Sequence, residues 1–374
     1  MSDVHLDTFN SFATPTDNIA TNSRLENILW AMEKAFKTGQ DQGVGGIVIN
    51  GDLFNQRTKI NPNTYSYCIQ KVVELFRTNS AKGVTLYINV GNHDEQGRNL
   101  QPNSVSIFTS FSTKEHPIVV VKQLAQLVRL QDNTAIMLVP FTEDIETSKR
   151  AINDTLGVIT HNKLKTAVFA HLGVVGGVQG RWNHKLSGEY NLADLGWNHK
   201  YITNIILGHF HNKNILKENK QKRAWYQGDL TELNFNDVNE DGSGADRGFD
   251  IIDTETSEIT FYNLADKLPR FMIYDLKDKF NLDDLVDSME HNYVKLVVHD
   301  KEAYKKITKA YQEQHDSTKP YANILLKIEP KQEQDLDIEA TDSDSDILSA
   351  YMDKFYPDDE SLKQTALAYL NKVE

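Results

Sequence analysis

An α/β fold organised around a largely parallel sheet is what this sequence predicts, on three grounds. Apolar runs of strand length, Gly46 to Asn50 and Val84 to Val90, alternate with segments of helical periodicity, Asn22 to Thr38 and Tyr65 to Phe76. That alternation implies βαβ units. The runs also end in short polar clusters, Gly51-Asp52 and Gly91-Asn92-His93-Asp94. In α/β proteins the rim formed by strand ends is where ligands bind.

The first helix places Leu25, Ile28, Leu29, Met32, Ala35 and Phe36 on one face, with Asn22 or Ser23 as N-cap and Gly39 as its stop. The second aligns Tyr65, Cys68, Ile69, Val72, Val73 and Phe76, which makes the lone Cys68 a core residue rather than a nucleophile. Ile118 to Val121, Leu127 to Leu130 and Ala135 to Val139 read as strands without intervening helices, so the second half turns more β-rich. Ile202 to Leu207 is a further strand. Asn234 to Ala245 is polar, acidic and glycine-containing, and is expected to be a mobile loop or insertion. Phe249 to Asp253 and Ile259 to Tyr262 flank a turn-like stretch and form a hairpin.

Beyond Pro269, Phe271 to Leu276, Tyr293 to Val298 and Ala322 to Ile328 read as three strands with helices between. The expected division is a main domain over 1–268, a small α/β module over 269–330 and an acidic linker over 331–346. Helices over 347–374 follow, with one apolar face at Ile347, Leu348, Tyr351, Met352 and Phe355 and another at Leu362, Ala366, Leu367 and Leu370. No internal repeat is present.

The 374 residues suffice for a large core and one or two modules, and 39% hydrophobic with 25% charged residues is ordinary for a globular chain. No apolar run approaches the ~20 residues needed to cross a bilayer, and nothing at the start reads as a signal peptide. With one cysteine no intramolecular disulfide can form, so the cytoplasm is the expected location. The formal net charge of −13 argues against a stand-alone nucleic-acid binder, but residues 335–374 carry −8 of it. No Arg/Lys-dense stripe is present, so a DNA substrate would be gripped largely by a partner.

Five clusters carry the chemistry: Asp3-Val4-His5, Gly51-Asp52, Gly91-Asn92-His93-Asp94, His171 after Val168-Phe169-Ala170, and Gly208-His209-Phe210-His211. Carboxylate, imidazole and carboxamide make an oxygen/nitrogen set suited to divalent manganese, iron or zinc. The set is too large for one ion and suits two, about 3.5–4 Å apart, sharing a bridging carboxylate. Any one cluster alone is as well explained by surface histidines and turn residues; their joint occurrence is not. His116, His161, His184, His199, His291, His299 and His315 are better read as solvated or core histidines, although the loop holding His184 could reach substrate. Arg57 could meet a phosphate, but a surface arginine at a helix start is the plainer reading.

In this order the clusters resemble the calcineurin-like metallophosphoesterase superfamily. Within it the chain is similar to SbcD-type nuclease subunits of double-strand-break repair, phage recombination nucleases in particular. Tyr226-Gln227-Gly228, Arg247-Gly248-Phe249, the small module and the acidic tail add to that likeness. The resemblance implies a four-layer α/β/β/α sandwich with a small α/β capping domain and C-terminal helices. It implies that Asp3, His5 and His211 hold one metal, Asn92, His171 and His209 the other, and that Asp52 bridges them. His93 would serve the leaving oxygen, with Asp94 supporting its imidazole.

The implied activity is manganese-dependent DNA exonuclease and endonuclease action with an SbcC-like coiled-coil ATPase, docked on the C-terminal helices, in a homodimer within a heterotetramer. A metallophosphatase or cyclic-nucleotide phosphodiesterase keeps the same chemistry on another substrate, although Asp94 and Asn55-Gln56-Arg57 depart from the phosphatase pattern. A non-catalytic scaffold bridging DNA ends is a further alternative. Asn55 also stands where many cellular members carry histidine. The family places a buried strand ahead of the first Asp-x-His, where this sequence has only Met1 and Ser2. A start farther upstream, or a truncated chain, is therefore expected; otherwise Asp3 and His5 would be poorly anchored.

Overall fold

The computed structural model describes residues 1–56, 59–95, 103–130, 133–185, 188–276, 282–314, 323–326, 348–349, 351–353, 362–366 and 370. The first half runs α1 (Ser23–Asp41), β1 (Gly46–Asn50), α2 (Pro62–Thr78), β2 (Thr85–Asn89), β3 (Ile118–Val120), β4 (Gln126–Arg129), β5 (Thr134–Val139), α3 (Ile145–Asn162) and β6 (Lys165–His171). There follow β7 (Val178–Gln179), β8 (His184–Lys185), β9 (Ile202–Gly208), β10 (Asn214–Glu218), β11 (Arg223–Tyr226), β12 (Gly248–Ile252) and β13 (Ile259–Asn263). The last elements of the main unit are β14 (Phe271–Leu276), α4 (Leu282–His291), β15 (Tyr293–Val298), α5 (Lys301–Gln314) and β16 (Asn323–Leu326).

Two sheets form the framework. One is the parallel set β1-β2-β3; the other runs β10-β11-β9-β6-β5-β4, parallel at its centre and antiparallel at both edges. Side chains alternate sides along a strand, and the core follows that alternation. Ile47 and Ile49 of β1 and Leu86 and Ile88 of β2 pack with α1 and α2, whereas Val48 and Tyr87 turn to the opposite face. There they meet Ile136, Leu138, Ala167, Phe169 and Ile206 of the second sheet. Ala135, Met137 and Val139 of β5, Val168 and Ala170 of β6 and Ile205 and Leu207 of β9 pack with Ile152, Leu156 and Ile159 of α3. Helix, sheet, sheet and helix thus make the four layers expected.

Asn22 caps α1 by accepting from the Leu25 amide at 3.0 Å. Gly39 does not end this helix, which continues to Asp41. A Cβ at Gly39 would lie 3.1 Å from Val44 Cγ2, so the glycine lets the outgoing chain pack against the helix. Cys68 is buried in α2, and burial pushes its thiol up to about 12. The segment over 234–245, expected to be mobile, is held down: Asp237, Val238 and Ala245 are buried, and Gly242 accepts from Ile273 of β14 at 2.8 Å. Strands β14, β15 and β16 form a parallel sheet with α4 and α5. This module lies within the same compact unit as the two main sheets, residues 1–326. Arg24 of α1 links the two, stacking over Phe271 and Tyr293 and donating to the Leu233 carbonyl.

The second unit comprises residues 327–374. Helical turns occur at 348–349, 351–353 and 362–366, covering Leu348, Tyr351, Met352, Leu362 and Ala366 of the expected apolar faces. The acidic linker over 331–346, with Ile347, Phe355 and Leu367, lies outside the described residues.

Ahead of α1, Met1 to Leu6 runs alongside β1 and the turn after it. The Asn50 amide donates to the Met1 carbonyl, and the Asp3, Val4, His5 and Leu6 amides donate to carbonyls of Gly51, Asp52 and Leu53, all at 2.9–3.2 Å. Asp3 and His5 are therefore firmly anchored, contrary to expectation. A cavity of about 570 Å3 lies between β1 and β12, lined by Met1, Val48, Tyr87, Phe169, Phe249 and Ile251, and it contains none of the expected metal ligands.

Two asparagines at strand ends cross between the main sheets. Asn50 Nδ2 donates to the carbonyls of Ala170 and Ile206, and Asn89 Nδ2 donates to Asn50 Oδ1 and to the Val139 carbonyl. Replacing Asn50→Leu should destabilise the fold by about 2–4 kcal/mol, at ~1–3 kcal/mol for each buried group left unpaired. Urea unfolding measures this; an unchanged midpoint would mean that apolar packing alone aligns the sheets.

Candidate metal centre

The expected ligands come from five places in the chain, four of them at the carboxyl ends of strands or in the turns that follow them. Asp52 follows β1, Asn92 follows β2, His171 ends β6, His209 and His211 follow β9, and Asp3 and His5 lie beside β1. Asp3, His5, Asp52 and His171 are at most 1% exposed. Asp52 sits at the centre: its Oδ2 is 3.9 Å from His5 Nε2 and 3.2 Å from His171 Nε2. The backbone amide of His93 holds its other oxygen at 2.8 Å. Asp52 thus faces both expected ligand sets, as a bridging carboxylate must.

One set closes around Asn92. Its Oδ1 is 3.2 Å from His171 Nε2 and 2.7 Å from His209 Nδ1. His171 Nδ1 donates to the Asn50 carbonyl at 2.8 Å, which leaves Nε2 with its lone pair turned toward Asn92 and Asp52. Lone pairs converging in this way are the arrangement that holds a cation. The other set brings Asp3, His5 and His211 together with Asp229, their ligand atoms all within 4.8 Å of one another. Both ring nitrogens of His5 are buried without a hydrogen-bond partner among the described residues. The His5 and His211 rings lie 5.0 Å apart. Orphaned buried imidazole nitrogens beside carboxylates fit a pair of divalent cations.

Local backbone geometry was shaped around these side chains. Asp3, His5, Asp52 and His209 all adopt positive φ, at 47°, 51°, 50° and 96°. Such residues cost ~1–3 kcal/mol each and cluster at functional sites. Glycine is obligatory beside them. A Cβ on Gly51 would lie 2.2 Å from His171 Nδ1, one on Gly91 2.1 Å from Asp52 Oδ1, and one on Gly208 2.1 Å from Ser2 Oγ.

The electrostatics divide the imidazoles. Burial drives His5 down to about 3, and burial with the charge of His171 does the same to His209. His171 rises to about 9 against the cost of burial, because Asp52 and Asp3 face it. His211 rises to about 10, again against burial, because Asp229 and Asp237 face it. Burial also opposes charge on Asp52, but His171 outweighs it and the carboxyl stays below its ordinary range. Burial keeps Asp3 above that range. Metal binding would displace protons from this cluster.

Asp229 and Asp237 were not foreseen from the sequence. Asp229 Oδ2 lies 3.3 Å and Asp237 Oδ1 3.6 Å from His211 Nδ1, leaving Nε2 as the nitrogen for a metal. Asp237 is fixed by the Leu233 and Asn234 amides. Asp229 is fully buried with neither carboxylate oxygen hydrogen-bonded among the described residues, and burial raises it well above its ordinary value. A carboxylate behind a ligating histidine sets its tautomer and its basicity.

His93 lies beside the cluster, its ring 5.0 Å from that of His5 and edge-on to it. The role expected of Asp94 needs correcting. Its carboxylate accepts from the backbone amides of Gly91, Leu53 and Phe54, which ties the turn bearing Asp52 to the loop bearing Asn92. The His93 imidazole is supported instead by the Asn55 carbonyl, which accepts from Nδ1 at 2.5 Å. Burial and the nearby Asp52 raise Asp94 to about 7. His184 is exposed on β8, and His116 packs its ring against Phe76, away from the cluster. Arg57 and His315 lie outside the described residues.

Asp229→Asn should weaken cation binding about 10- to 100-fold. Equilibrium dialysis against manganese reads this directly, and an unaltered isotherm would make Asp229 a bystander.

Comparison with known proteins places the chain among relatives. The profile of the calcineurin-like phosphoesterases matches residues 1–213. No curated protein matches it. Among solved structures it is similar to a dimetal phosphatase from Danio rerio, at 11% identity and a TM-score of 0.37, over 60% of this chain and 85% of that one. With more than half its length under that profile, and the converged carboxylate, carboxamide and imidazole groups described above, the chain belongs to the calcineurin-like phosphoesterases, metal-dependent hydrolases of phosphoesters.

Proposed function

We propose that the chain is a manganese-dependent DNA nuclease, acting on duplex ends and on single strands. It would work with an SbcC-like ATPase in end processing, recombination and repair. The observation that carries the hydrolytic part is the convergence of two ligand sets on Asp52 with His93 alongside. When bound, two divalent cations would generate a nucleophile from water near neutral pH and offset phosphate charge. The side chains do the rest. Asp52, gripped through one oxygen by the His93 amide, faces both ligand sets with the other. His93, with Nδ1–H on the Asn55 carbonyl, keeps Nε2 for the proton that the leaving oxygen needs. Asp94 makes the Asp52 turn and the Asn92-His93 loop one unit, so ligand and proton donor keep their spacing.

DNA as substrate is supported by the motifs that resemble SbcD-type subunits, whose side chains brace this centre. The Tyr226 hydroxyl donates to the Leu172 carbonyl and accepts from the Val174 amide, steadying the chain after His171. Arg247 donates to the Asp237 carbonyl, behind His211. The partner would seat the apolar faces of the C-terminal helices, as amphipathic helices dock in grooves. A homodimer within a heterotetramer is the matching assembly.

Purified with and without its partner, the protein should degrade DNA in manganese. His93→Ala should reduce cleavage about 10²- to 10⁴-fold, with manganese content unchanged on dialysis. Full activity in that variant would remove His93 from the chemistry. Rapid turnover of a small phosphomonoester beside intact DNA would make the protein a phosphatase instead.

A further inference from the structure

Strands β7 and β8 form a small antiparallel hairpin, pairing Val178 with Lys185 and Gln179 with His184. Its turn carries Trp182, which is 57% exposed, whereas Trp197 and Trp225 are at most 5% exposed. One exposed apolar side chain is ordinary in itself. Here its surroundings are specific.

Gly180 and Asn183 both have positive φ, 74° and 48°, so the chain reverses tightly around Arg181 and Trp182. The Arg181 guanidinium lies 4.7 Å from the Trp182 ring centroid, and its Nε donates to the Glu240 carbonyl. A cation fixed over one face orients the indole and leaves its other face to a ligand.

The turn also hangs directly from the metal centre. Asn212, next to the ligand His211, donates through Nδ2 to the Gly180 carbonyl at 3.0 Å and to Asn183 Oδ1 at 2.8 Å. Asn214 donates to the Gly176 carbonyl at 3.2 Å. The hairpin's incoming chain leaves β6 at the ligand His171. His184 and Lys185 are exposed on the returning strand, and Lys185 adds positive charge there in a chain of formal net charge −13.

We propose that Trp182 is a stacking platform for an unpaired nucleobase of the strand entering the centre, a role that rests on the nuclease reading above. An indole face offers little to a duplex, whose bases are already stacked. It takes the exposed face of a base in a single strand or a frayed end. Arg181 holds the ring, and Lys185 is placed to meet the adjoining phosphates.

The test uses the full-length protein in EDTA, so that nothing is cleaved. Fluorescence anisotropy measures binding to a labelled oligothymidylate and to a blunt duplex of equal length. Trp182→Ala should weaken single-strand binding about 10- to 100-fold, while Trp182→Phe retains most of it. Duplex binding should be unchanged in both, and both should take up manganese on dialysis and unfold in urea as the wild type does. Single-strand binding by Trp182→Ala equal to wild type overturns the platform, as does an equal loss on the duplex. If wild type, with its partner present, neither binds nor cleaves DNA, the nuclease reading falls with it; if wild type does both and Trp182→Ala matches it, the platform alone falls.

Discussion

The centre depends on two sheets keeping one register, and the Asn50–Asn89 bridge is the interaction that sets it. Apolar faces packed against one another resist separation but have little preference for one lateral offset over another, because the hydrophobic effect is non-directional. Hydrogen bonds from Asn50 to Ala170 and Ile206, and from Asn89 to Val139, are directional and buried. They lock the offset at the level where the ligands begin. The backbone carbonyl of Asn50 then orients His171, so one residue aligns the sheets and aims an imidazole donated by the other sheet. Asp52 from one sheet and His171 from the other meet at 3.2 Å as a result.

The arrangement is costly, and the costs are concentrated. Four of the expected ligands sit in left-handed backbone, several carboxylates are buried, and Gly51, Gly91 and Gly208 stand where a Cβ would collide with His171, Asp52 or Ser2. Surrounding packing must over-determine such a conformation for it to persist. It does so here through the amides donated to Asp94 and Asp237 and through the backbone bonds tying Met1 to Leu6 along the β1 edge. Polar groups that look like ordinary turn residues thus serve as struts.

Much of this was legible in the sequence, because strand-end clusters announce themselves as apolar runs closed by glycine and a ligand. The strands were legible as apolar runs and α1 and α2 as helical stripes, whereas the four-layer arrangement was implied only by the family resemblance. What escaped was information carried only by direction or by distant contact. Asp94 follows His93 in sequence, but neighbours in a tight loop point apart, and its oxygens went to backbone amides instead. Asp237 lay in a polar stretch that reads as a loose loop, and its burial follows from contacts with the Leu233 and Asn234 amides and with His211. Asp229 did leave a signal. It follows Gly228 at the end of an apolar strand, the pattern of Gly51-Asp52, and Gly228 is needed because a Cβ would lie 2.7 Å from the His211 carbonyl. Helix α3 was missed because its buried positions, Ser148, Ile152, Leu156 and Ile159, form a narrow and partly polar stripe.

The tether from Asn212 to the Gly180–Asn183 turn has a thermodynamic meaning of its own. Were His211 to shift on engaging a cation, one peptide link and one carboxamide would pass the displacement to the rim. Free energy exchanged along such a linkage is reciprocal: whatever steadies the rim favours occupancy of the interior by the same factor. Loading of the centre and capture at its mouth are in that sense one equilibrium viewed from two ends.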